Sequence, residues 1–274
     1  MPVTAATRLC GIVLHPAAHT RSPAMHNAAY QALGIDALYA AFDVPESRLR
    51  DAIAGVRGLG LRQLSVSIPH KRAILELVDE VDPTAAQIGA ANTVVQKSDR
   101  LIASNTDWIG AVRALERERP LAGARAVVLG AGGTARAVVF GLIESGAAVH
   151  VLNRNTARAE ALARELGAEG AGPLDALARI PHDVVVNATS VGMNSDESPV
   201  PATALEPRAV VLDAVYAPER TRLLRDALAR GARAVSGRWM LVHQAVAQLE
   251  AWAGPIDRAL TARVMAEAFG PQPA

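Results

Sequence analysis

The sequence has 274 residues, of which 50% are hydrophobic and 20% are charged, and its formal net charge is +1. This length suits two domains with a substantial core, and the composition excludes a disordered chain. The balanced charge argues against nucleic acid or an anionic membrane as a partner. A single cysteine, Cys10, cannot form an internal disulfide, which favours the cytoplasm. We see neither a signal peptide nor an apolar run long enough for a membrane span.

The first part of the chain alternates segments typical of strands and helices, as in an α/β layer structure. Ser22 as N-cap and Pro23 in the first turn predict the start of the first helix. In chain order we predict a strand at 8–14, a helix at 22–33, a strand at 37–42, a helix around 49–56, a strand at 61–67, a helix following residues 68–71 through 78, a hairpin of 93–97 and 101–104, and a helix beginning at 105–107 and ending near 120.

The second part begins after residues 121–123 with a strand, a glycine-rich turn and a helix. A further strand follows on schedule, as expected of a dinucleotide-binding unit. The predicted elements are strands at 125–129 and 147–152 around a helix at 134–145, strands at 183–187 and 209–213, a helix at 221–229, a strand at 232–236, and helices from 237 to 252 and from 256 to 269.

The glycine-rich turn fits the pattern G-x-G-x-x-A. Gly130 permits the tight turn, Gly132 lets the backbone approach a pyrophosphate, and the small Ala135 allows close packing of helix on strand. The start of the following helix offers N–H groups to phosphate. The alternative is a glycine turn that binds no ligand. The residues predicted to bind the cofactor here are Gly130, Ala131, Gly132, Gly133, Thr134 and Ala135.

The end of the next strand indicates which dinucleotide binds. A site for NAD usually places an acidic residue there for the ribose 2′-hydroxyl. This chain has Asn153 and Arg154 instead, with Arg158 one turn later. A guanidinium can bind a 2′-phosphate through two hydrogen bonds, so these residues predict NADP. The alternative is that both arginines are solvated charges at the start of a helix.

Two charged residues outside this unit are candidates for proton transfer. Hydride transfer to a ketone needs a proton donor at the carbonyl oxygen. Lys71 follows a proline at a turn, and Asp107 begins a helix, although each taken singly is more often a surface charge. The seven histidines show no metal-ligand spacing, so we predict no metal site.

A series of motifs, in order over nearly the whole chain, resembles the shikimate dehydrogenase family. The motif N-A-T-S-x-G-M at 187–193 is among the more specific ones. The matching segments are 19–23, 65–71, 89–93, 105–107, 153–154, 187–193, 213–221 and 240–245.

The resemblance implies an α/β fold of two domains. A substrate-binding catalytic domain would comprise residues 1–107, completed by helices within 241–274, and a Rossmann-type doubly wound NADP-binding domain would comprise 108–240. It also implies the NADP-dependent interconversion of 3-dehydroshikimate and shikimate, a reaction of the chorismate pathway to aromatic amino acids.

The resemblance further implies roles for single residues. Lys71 and Asp107 would be the catalytic pair, and His19 would orient the loop before Ser22. The residues implied to bind the substrate are Thr20, Ser22, Ser65, Ser67, Asn92, Asp107, Tyr216 and Gln244. The cofactor set is completed by Thr189, Ser190, Met193, Val215 and Gly237.

Four positions depart from the family pattern and leave the substrate open. Thr20, Ser65 and Ser67 replace a serine, an asparagine and a threonine, and Trp108 replaces a glycine. Quinate, aminoshikimate, a related ring acid or another small alcohol are therefore alternatives. A non-catalytic NADPH-binding regulator is a further alternative, against which the retention of Lys71 and Asp107 argues. A monomer and a homodimer are both compatible with the sequence.

Overall fold

The computed structural model describes residues 3–18 and 20–270, so the role expected of His19 lies outside the described residues. The chain divides into two compact units. The first comprises the described residues up to Thr106 together with Ala245–Gly270, and the second comprises Asp107–Gln244.

Strands and helices alternate through most of the chain. The strands are β1 (Arg8–Leu14), β2 (Ala37–Asp43), β3 (Gln63–Val66), β4 (Glu80–Val81), β5 (Thr93–Lys97), β6 (Arg100–Ser104), β7 (Arg125–Leu129), β8 (Ala148–Leu152), β9 (Gly170–Gly172), β10 (Val184–Asn187), β11 (Val210–Asp213) and β12 (Arg233–Ser236). The α-helices are α1 (Ser22–Leu33), α2 (Leu49–Leu59), α3 (Pro83–Ile88), α4 (Asp107–Glu116), α5 (Gly133–Glu144), α6 (Thr156–Leu166), α7 (Arg222–Ala229), α8 (Gly237–Ala253) and α9 (Arg258–Phe269).

The first unit is built on a mixed sheet in the order β2-β1-β3-β5-β6-β4. Strands β1, β2 and β3 are parallel, whereas β5 and β6 form the predicted hairpin. Its two turn residues, Ser98 and Asp99, both have positive φ angles of 46° and 64°, as a two-residue hairpin turn requires. Apolar residues of α2 pack on one face of this sheet, and α9 packs against α1.

The second unit is built on a fully parallel sheet in the order β12-β11-β10-β7-β8-β9. This is the strand order of a doubly wound dinucleotide-binding domain, and it reverses between β7 and β10. Strands β10 and β11 are buried along their whole length, which explains their continuous runs of valine and leucine. The carboxyl ends of β7 and β10 therefore mark the place where this fold binds ligands.

One predicted helix is wrong, and it contains a candidate catalytic residue. The segment after β3 forms turns and a short 3-10 helix, Ala73–Glu76, instead of an α-helix through Val78. The carbonyl of Lys71 accepts a hydrogen bond from Ala91 N at 2.8 Å, and Leu75 N bonds to Arg72 instead. Long-range pairing of the Lys71 backbone has therefore replaced the local helical bond.

The structure also corrects the start of α1 and adds elements. Arg21, and not Ser22, occupies the N-cap, and no side chain caps this helix. Ser22 is already in the first turn, where its N–H bonds to the Thr20 hydroxyl at 3.4 Å. Helices α3 and α6 and the short strands β4 and β9 were not predicted. The remaining predicted elements are confirmed with boundaries that differ by a few residues.

We expect Gly11→Ala to destabilise the first unit. A Cβ there would lie 2.4 Å from the Phe42 ring and 2.7 Å from the Ala40 carbonyl oxygen, and the carbonyl belongs to the paired strand β2. The clash should cost about 1–3 kcal/mol of unfolding free energy, measured by urea denaturation. Gly58→Ala in α2 is the control, because its Cβ meets nothing within 4 Å and should stabilise by about 0.5–1 kcal/mol. A Gly11→Ala protein as stable as the parent would contradict this packing.

Candidate functional site

The glycine-rich turn lies at the carboxyl end of β7, where the strand order reverses. Gly130 has a φ angle of +115°, a conformation that residues with side chains rarely adopt. A Cβ at Gly130 would lie 3.1 Å from the carbonyl carbon and oxygen of Ala188, which follows β10. The turn is therefore packed directly against the end of the neighbouring strand, and position 130 requires glycine.

The next glycine faces open space. Gly132 is the N-cap of α5, with an extended backbone and no side-chain cap, and a Cβ there would meet nothing within 4 Å. The first N–H groups of a helix have no partner within that helix and carry a partial positive charge. Ala135 is fully buried, which allows α5 to lie close to the sheet. This cradle fits the pyrophosphate of a dinucleotide.

The end of β8 presents the two arginines expected to read a 2′-phosphate. The side chain of Asn153 donates to the Asn155 carbonyl at 3.0 Å, and Asn155 caps α6 by accepting from Arg158 N at 3.2 Å. Arg154 and Arg158 are both exposed. Within residues 3–18 and 20–270, neither guanidinium is paired with a carboxylate. Both remain available to an anionic ligand.

A buried asparagine, Asn187, ends β10 and is hydrogen-bonded to the loop that follows this strand. The side-chain oxygen of Asn187, Oδ1, accepts from Thr189 N at 3.0 Å and from the Thr189 hydroxyl at 2.7 Å. The Thr189 hydroxyl in turn accepts from Val191 N at 3.1 Å, and the Asn187 amide donates to the Val191 carbonyl at 3.1 Å. The loop that carries Thr189, Ser190 and Met193 is thus tied to the strand that precedes it.

A buried aspartate ends the adjacent strand, β11. One Asp213 oxygen accepts from the Asn187 amide at 2.9 Å and from Val215 N at 3.0 Å, and the other accepts from the Thr221 hydroxyl at 2.6 Å. Thr221 is also the N-cap of α7. Burial raises the pKa of the Asp213 carboxyl to about 6, although its three hydrogen bonds act in the opposite direction.

The remaining cofactor candidates lie beside these loops. A Cβ at Gly237 would lie 2.6 Å from the Asp213 carbonyl oxygen and 2.7 Å from that of Ala214, so the start of α8 can approach β11 only as glycine. Val215 is buried, and Tyr216 is half-buried. The structure thus brings the candidates at 130–135, 189–193, 215 and 237 to the carboxyl ends of strands in one sheet.

In the first unit, the residues expected to hold a substrate carboxylate are adjacent. The Thr20 hydroxyl donates to the Ser22 hydroxyl at 3.3 Å, and Ser22 is buried in the first turn of α1. Ser67 is half-buried beyond the end of β3, where its N–H bonds to the Val13 carbonyl. Lys71 is half-buried in the turn that follows.

Ser65 is engaged inside the first unit. Its hydroxyl accepts from Tyr39 at 2.6 Å and from the Gln63 amide at 3.0 Å, and it donates to Gln248 at 2.9 Å. A hydroxyl has one proton and two lone pairs, so its capacity is used. The geometry favours a role for Ser65 in holding β3 and α8, in place of the predicted contact with substrate.

Asn92 and Thr106 connect two backbone segments of the first unit. The side-chain amide of Asn92 donates to the Thr106 hydroxyl at 3.0 Å, and the side-chain oxygen of Asn92 accepts from Thr106 N at 2.8 Å. Gln248 donates to the Asn92 carbonyl at 3.0 Å, and the Asn105 side chain donates to the Ala90 carbonyl at 2.8 Å. These bonds fix the segment that leads to Asp107.

Asp107, Trp108 and Gln244 belong to the second unit. Asp107 is the buried first residue of α4, and Gln244 is buried on α8, where its amide donates to the Leu241 carbonyl. The Trp108 ring packs edge-on against Phe140 of α5, with centroids 5.6 Å apart. The departure from glycine at 108 is therefore accommodated by the packing of α4 on α5.

The sequence motifs do not single out the residues that position these loops. Asn187, Asp213 and Thr221 stand inside family motifs without an expected role, and Gln248 and Tyr39 stand outside every motif. A signal existed for the first two, because each is a lone polar residue at the carboxyl end of an apolar strand. Among the described residues, no cluster of metal-ligating side chains is found, and no helix is long and apolar enough to cross a membrane.

Comparison with known proteins agrees with the geometry. Residues 12–94 match the model of the shikimate dehydrogenase substrate binding domain, and residues 113–198 match that of shikimate / quinate 5-dehydrogenase. The chain belongs to the shikimate dehydrogenase family. The predictions of this family and of an α/β fold with a Rossmann-type domain are confirmed.

Relatives of this family cover nearly the whole chain. Shikimate dehydrogenase (NADP(+)) of Thermococcus kodakarensis is 45% identical over 256 residues, which are 91% of this chain and 92% of the relative. Shikimate 5-dehydrogenase of Thermus thermophilus, solved with NADP(H) and shikimate, has a TM-score of 0.89 and 38% identity over 96% and 100% of the two chains. Ligand-free 5-ketofructose reductase of a Gluconobacter species has a TM-score of 0.85 and 34% identity over 96% and 99%.

We expect Asp213→Asn to change how stability depends on pH. With a pKa of about 6 against an ordinary value of 3.8, the folded chain keeps a proton that the unfolded chain releases. The folded protein therefore loses up to about 3 kcal/mol of stability as pH rises from about 3 to about 7, through both pKa values, and nothing further above that. Asparagine does not titrate, so the variant should gain that much relative to the parent across this window.

The measurement is the difference in unfolding free energy between Asp213→Asn and the parent, obtained by urea denaturation at several pH values. Taking the difference cancels the other carboxyl groups, such as Asp183, whose pKa is lowered by Arg125. A difference that stays constant from pH 4 to 7 would contradict the raised pKa.

Proposed function

We propose that this chain catalyses the NADP-dependent interconversion of 3-dehydroshikimate and shikimate, in the chorismate pathway to aromatic amino acids. The observation that carries this proposal is that relatives named for this activity match the chain over nine tenths of both lengths. The second unit also keeps the predicted NADP-binding residues at one edge of its sheet. The predictions of an NADP-dependent oxidoreductase and of its cofactor are confirmed.

The cofactor set divides into two halves. The turn at 130–135 and the start of α5 would hold the pyrophosphate, while Asn153, Arg154 and Arg158 would hold the 2′-phosphate. Thr189, Ser190, Met193, Val215 and Gly237 would lie along the nicotinamide half. The absence of a carboxylate at the end of β8 removes the repulsion that would select against a 2′-phosphate.

Lys71 and Asp107 carry the proton chemistry. Bound NADPH supplies the hydride that reduces the substrate ketone at its carbonyl carbon. The Lys71 ammonium donates a proton to the carbonyl oxygen, which becomes the hydroxyl of shikimate. Asp107 accepts a hydrogen bond from the substrate.

Hydroxyl and amide groups recognise the ring acid. Thr20 and Ser22 bind the substrate carboxylate, and the N-terminal end of α1 adds a favourable dipole. Ser67, Asn92, Asp107 and Gln244 read the ring hydroxyls, and Tyr216 approaches the ring beside the nicotinamide. Ser65 acts indirectly, because its hydroxyl is already bonded to Tyr39, Gln63 and Gln248.

Shikimate is favoured over the alternative substrates. Trp108 packs against Phe140, and Ser65 is part of an internal network, so neither departure by itself requires a different ring acid. The likeness to a 5-ketofructose reductase shows that this fold also occurs in an enzyme named for a different substrate. The side chains at the substrate site, and not the fold, therefore decide between substrates.

We propose a cytoplasmic location for the chain and leave its oligomeric state open. A cytoplasmic location is supported by the single cysteine, Cys10, which is buried and whose pKa is raised by burial to about 11. Such a thiol is unreactive. A small-molecule substrate is the partner proposed, and both a monomer and a homodimer are compatible with the sequence.

The substrate assignment is tested by NADPH absorbance with shikimate, quinate and aminoshikimate. We expect the highest kcat/KM with shikimate and NADP. Lys71→Met should lower kcat by about 10²–10⁴-fold because the proton donor is lost. The chain's other lysine is the control: Lys97→Met, at the exposed end of β5, should leave kcat unchanged. A higher kcat/KM for quinate or aminoshikimate would assign a different substrate, and an active Lys71→Met protein would refute Lys71 as the proton donor. A parent protein that binds NADPH but turns over none of the three ring acids would favour the regulator.

Cofactor choice is tested at Arg154 and Arg158. Replacing both with alanine removes charge-assisted hydrogen bonds to the 2′-phosphate, each worth about 1.5–3 kcal/mol. The Kd for NADP should therefore rise about tenfold or more, while the Kd for NAD changes little. Arg164→Ala, on the last turn of the same helix, is the matched control. A parent protein with a higher kcat/KM for NAD than for NADP would refute the assignment.

A further inference from the structure

A polar network lies at the centre of the second sheet and has no direct role in the reaction as proposed. It consists of Asn187, Asp213 and Thr221, which we call the strand-end network. All three residues are buried, with exposures of 0%, 0% and 1%. Asn187 and Asp213 are register partners at the last positions of the adjacent strands β10 and β11. The rest of both strands is entirely apolar.

Stability alone does not account for this network. Burying a carboxylate is costly even when it is hydrogen-bonded, and well-packed apolar residues often serve folding equally well. The neighbouring register pair, Val186 and Leu212, shows that the sheet accommodates apolar pairs next to this position. A buried charge at this edge of the sheet is therefore explained better by what it holds in place.

Each member of the network fastens a different segment. Asn187 binds Thr189 and Val191 of the loop after β10. Asp213 binds Val215 N, the first turn of the loop after β11. Thr221 closes that second loop by bonding back to Asp213, and it accepts from Leu224 N at the start of α7.

A hydrogen bond between side chains joins the residues that anchor the two loops. The Asn187 amide donates to Asp213 at 2.9 Å, so the loop after β10 and the loop after β11 share one anchor. These loops carry four of the residues assigned above to the nicotinamide half, namely Thr189, Ser190, Met193 and Val215. The pyrophosphate turn and the two arginines follow β7 and β8 instead.

We propose that the strand-end network is a positioning device for the nicotinamide half of NADP, which sets the geometry of hydride transfer without touching the cofactor. This inference rests on the proposed function. Because reaction rates fall steeply when reacting atoms are misplaced by about 1 Å, loosening the anchor should affect kcat more than cofactor binding. The adenosine half, held after β7 and β8, should be unaffected.

The test uses Thr221→Val, which keeps the shape of the residue but removes the hydroxyl that closes the second loop. We expect kcat to fall about ten- to a hundredfold, while the Kd of 2′-phospho-ADP-ribose, a fragment without nicotinamide, stays within about twofold. The fluorescence emission of bound NADPH, which reports the surroundings of its nicotinamide ring, should shift towards that of free NADPH. Thr221→Ser restores the hydroxyl and should restore all of these properties.

The matched control is Thr261→Val. Thr261 is equally buried and donates a comparable bond, 2.6 Å long, to the Asp257 carbonyl at the start of α9 in the first unit. This variant should leave the emission of bound NADPH unchanged. If Thr221→Val fails to fold, as judged by loss of a cooperative urea unfolding transition, Asp213→Asn provides the same test, because it keeps the shape of the carboxylate.

Three results would overturn the inference. They are unchanged kcat and NADPH emission in the network variants, fragment binding that weakens by the same factor as kcat, and an equal emission shift in Thr261→Val. Failure of the proposed function is separable, since it would appear as absent shikimate turnover by the parent protein. The comparison of NADPH emission with fragment binding does not depend on the substrate.

Discussion

Parallel strands place all their carboxyl ends at one edge of the sheet, and the second unit depends on this constraint. Where the strand order reverses, between β7 and β10, successive connections leave in opposite directions and leave space for a ligand. Every cofactor residue assigned here follows the carboxyl end of a strand in this sheet. Residues far apart in the sequence, such as Gly130 and Ala188, meet there because the sheet brings their strands side by side.

Two features shape this edge of the sheet: close approach of backbone segments and buried side-chain hydrogen bonds. Glycines at 130 and 237 let backbone segments pack at distances that a Cβ would forbid. Asn187 and Asp213 then satisfy the polar groups of loops that could not otherwise be buried. The result is a rigid frame around an open helix start, which suits a ligand that must be held at both ends.

In the first unit, hydrogen-bonding capacity separates residues that can contact a ligand from those that cannot. The Ser65 hydroxyl donates its proton to Gln248 and accepts hydrogen bonds from Tyr39 and Gln63, which uses both lone pairs. Such saturation cannot be read from a motif, because Tyr39 and Gln248 lie 26 and 183 residues away. The replacement of the family's asparagine at this position is therefore understood only together with its partners.

The sequence predicts the alternation of strands and helices, the glycine turn, the arginines after β8 and the family, because these depend on local periodicity and short motifs. It missed α3 and α6 and misassigned the segment around Lys71. Three features follow only from the tertiary structure. The Lys71 carbonyl accepts a hydrogen bond from Ala91, the Ser65 hydroxyl makes all the hydrogen bonds it can, and the Asn187 amide donates to Asp213. Each of these contacts joins distant parts of the chain, so its free energy exists only after the sheet has formed.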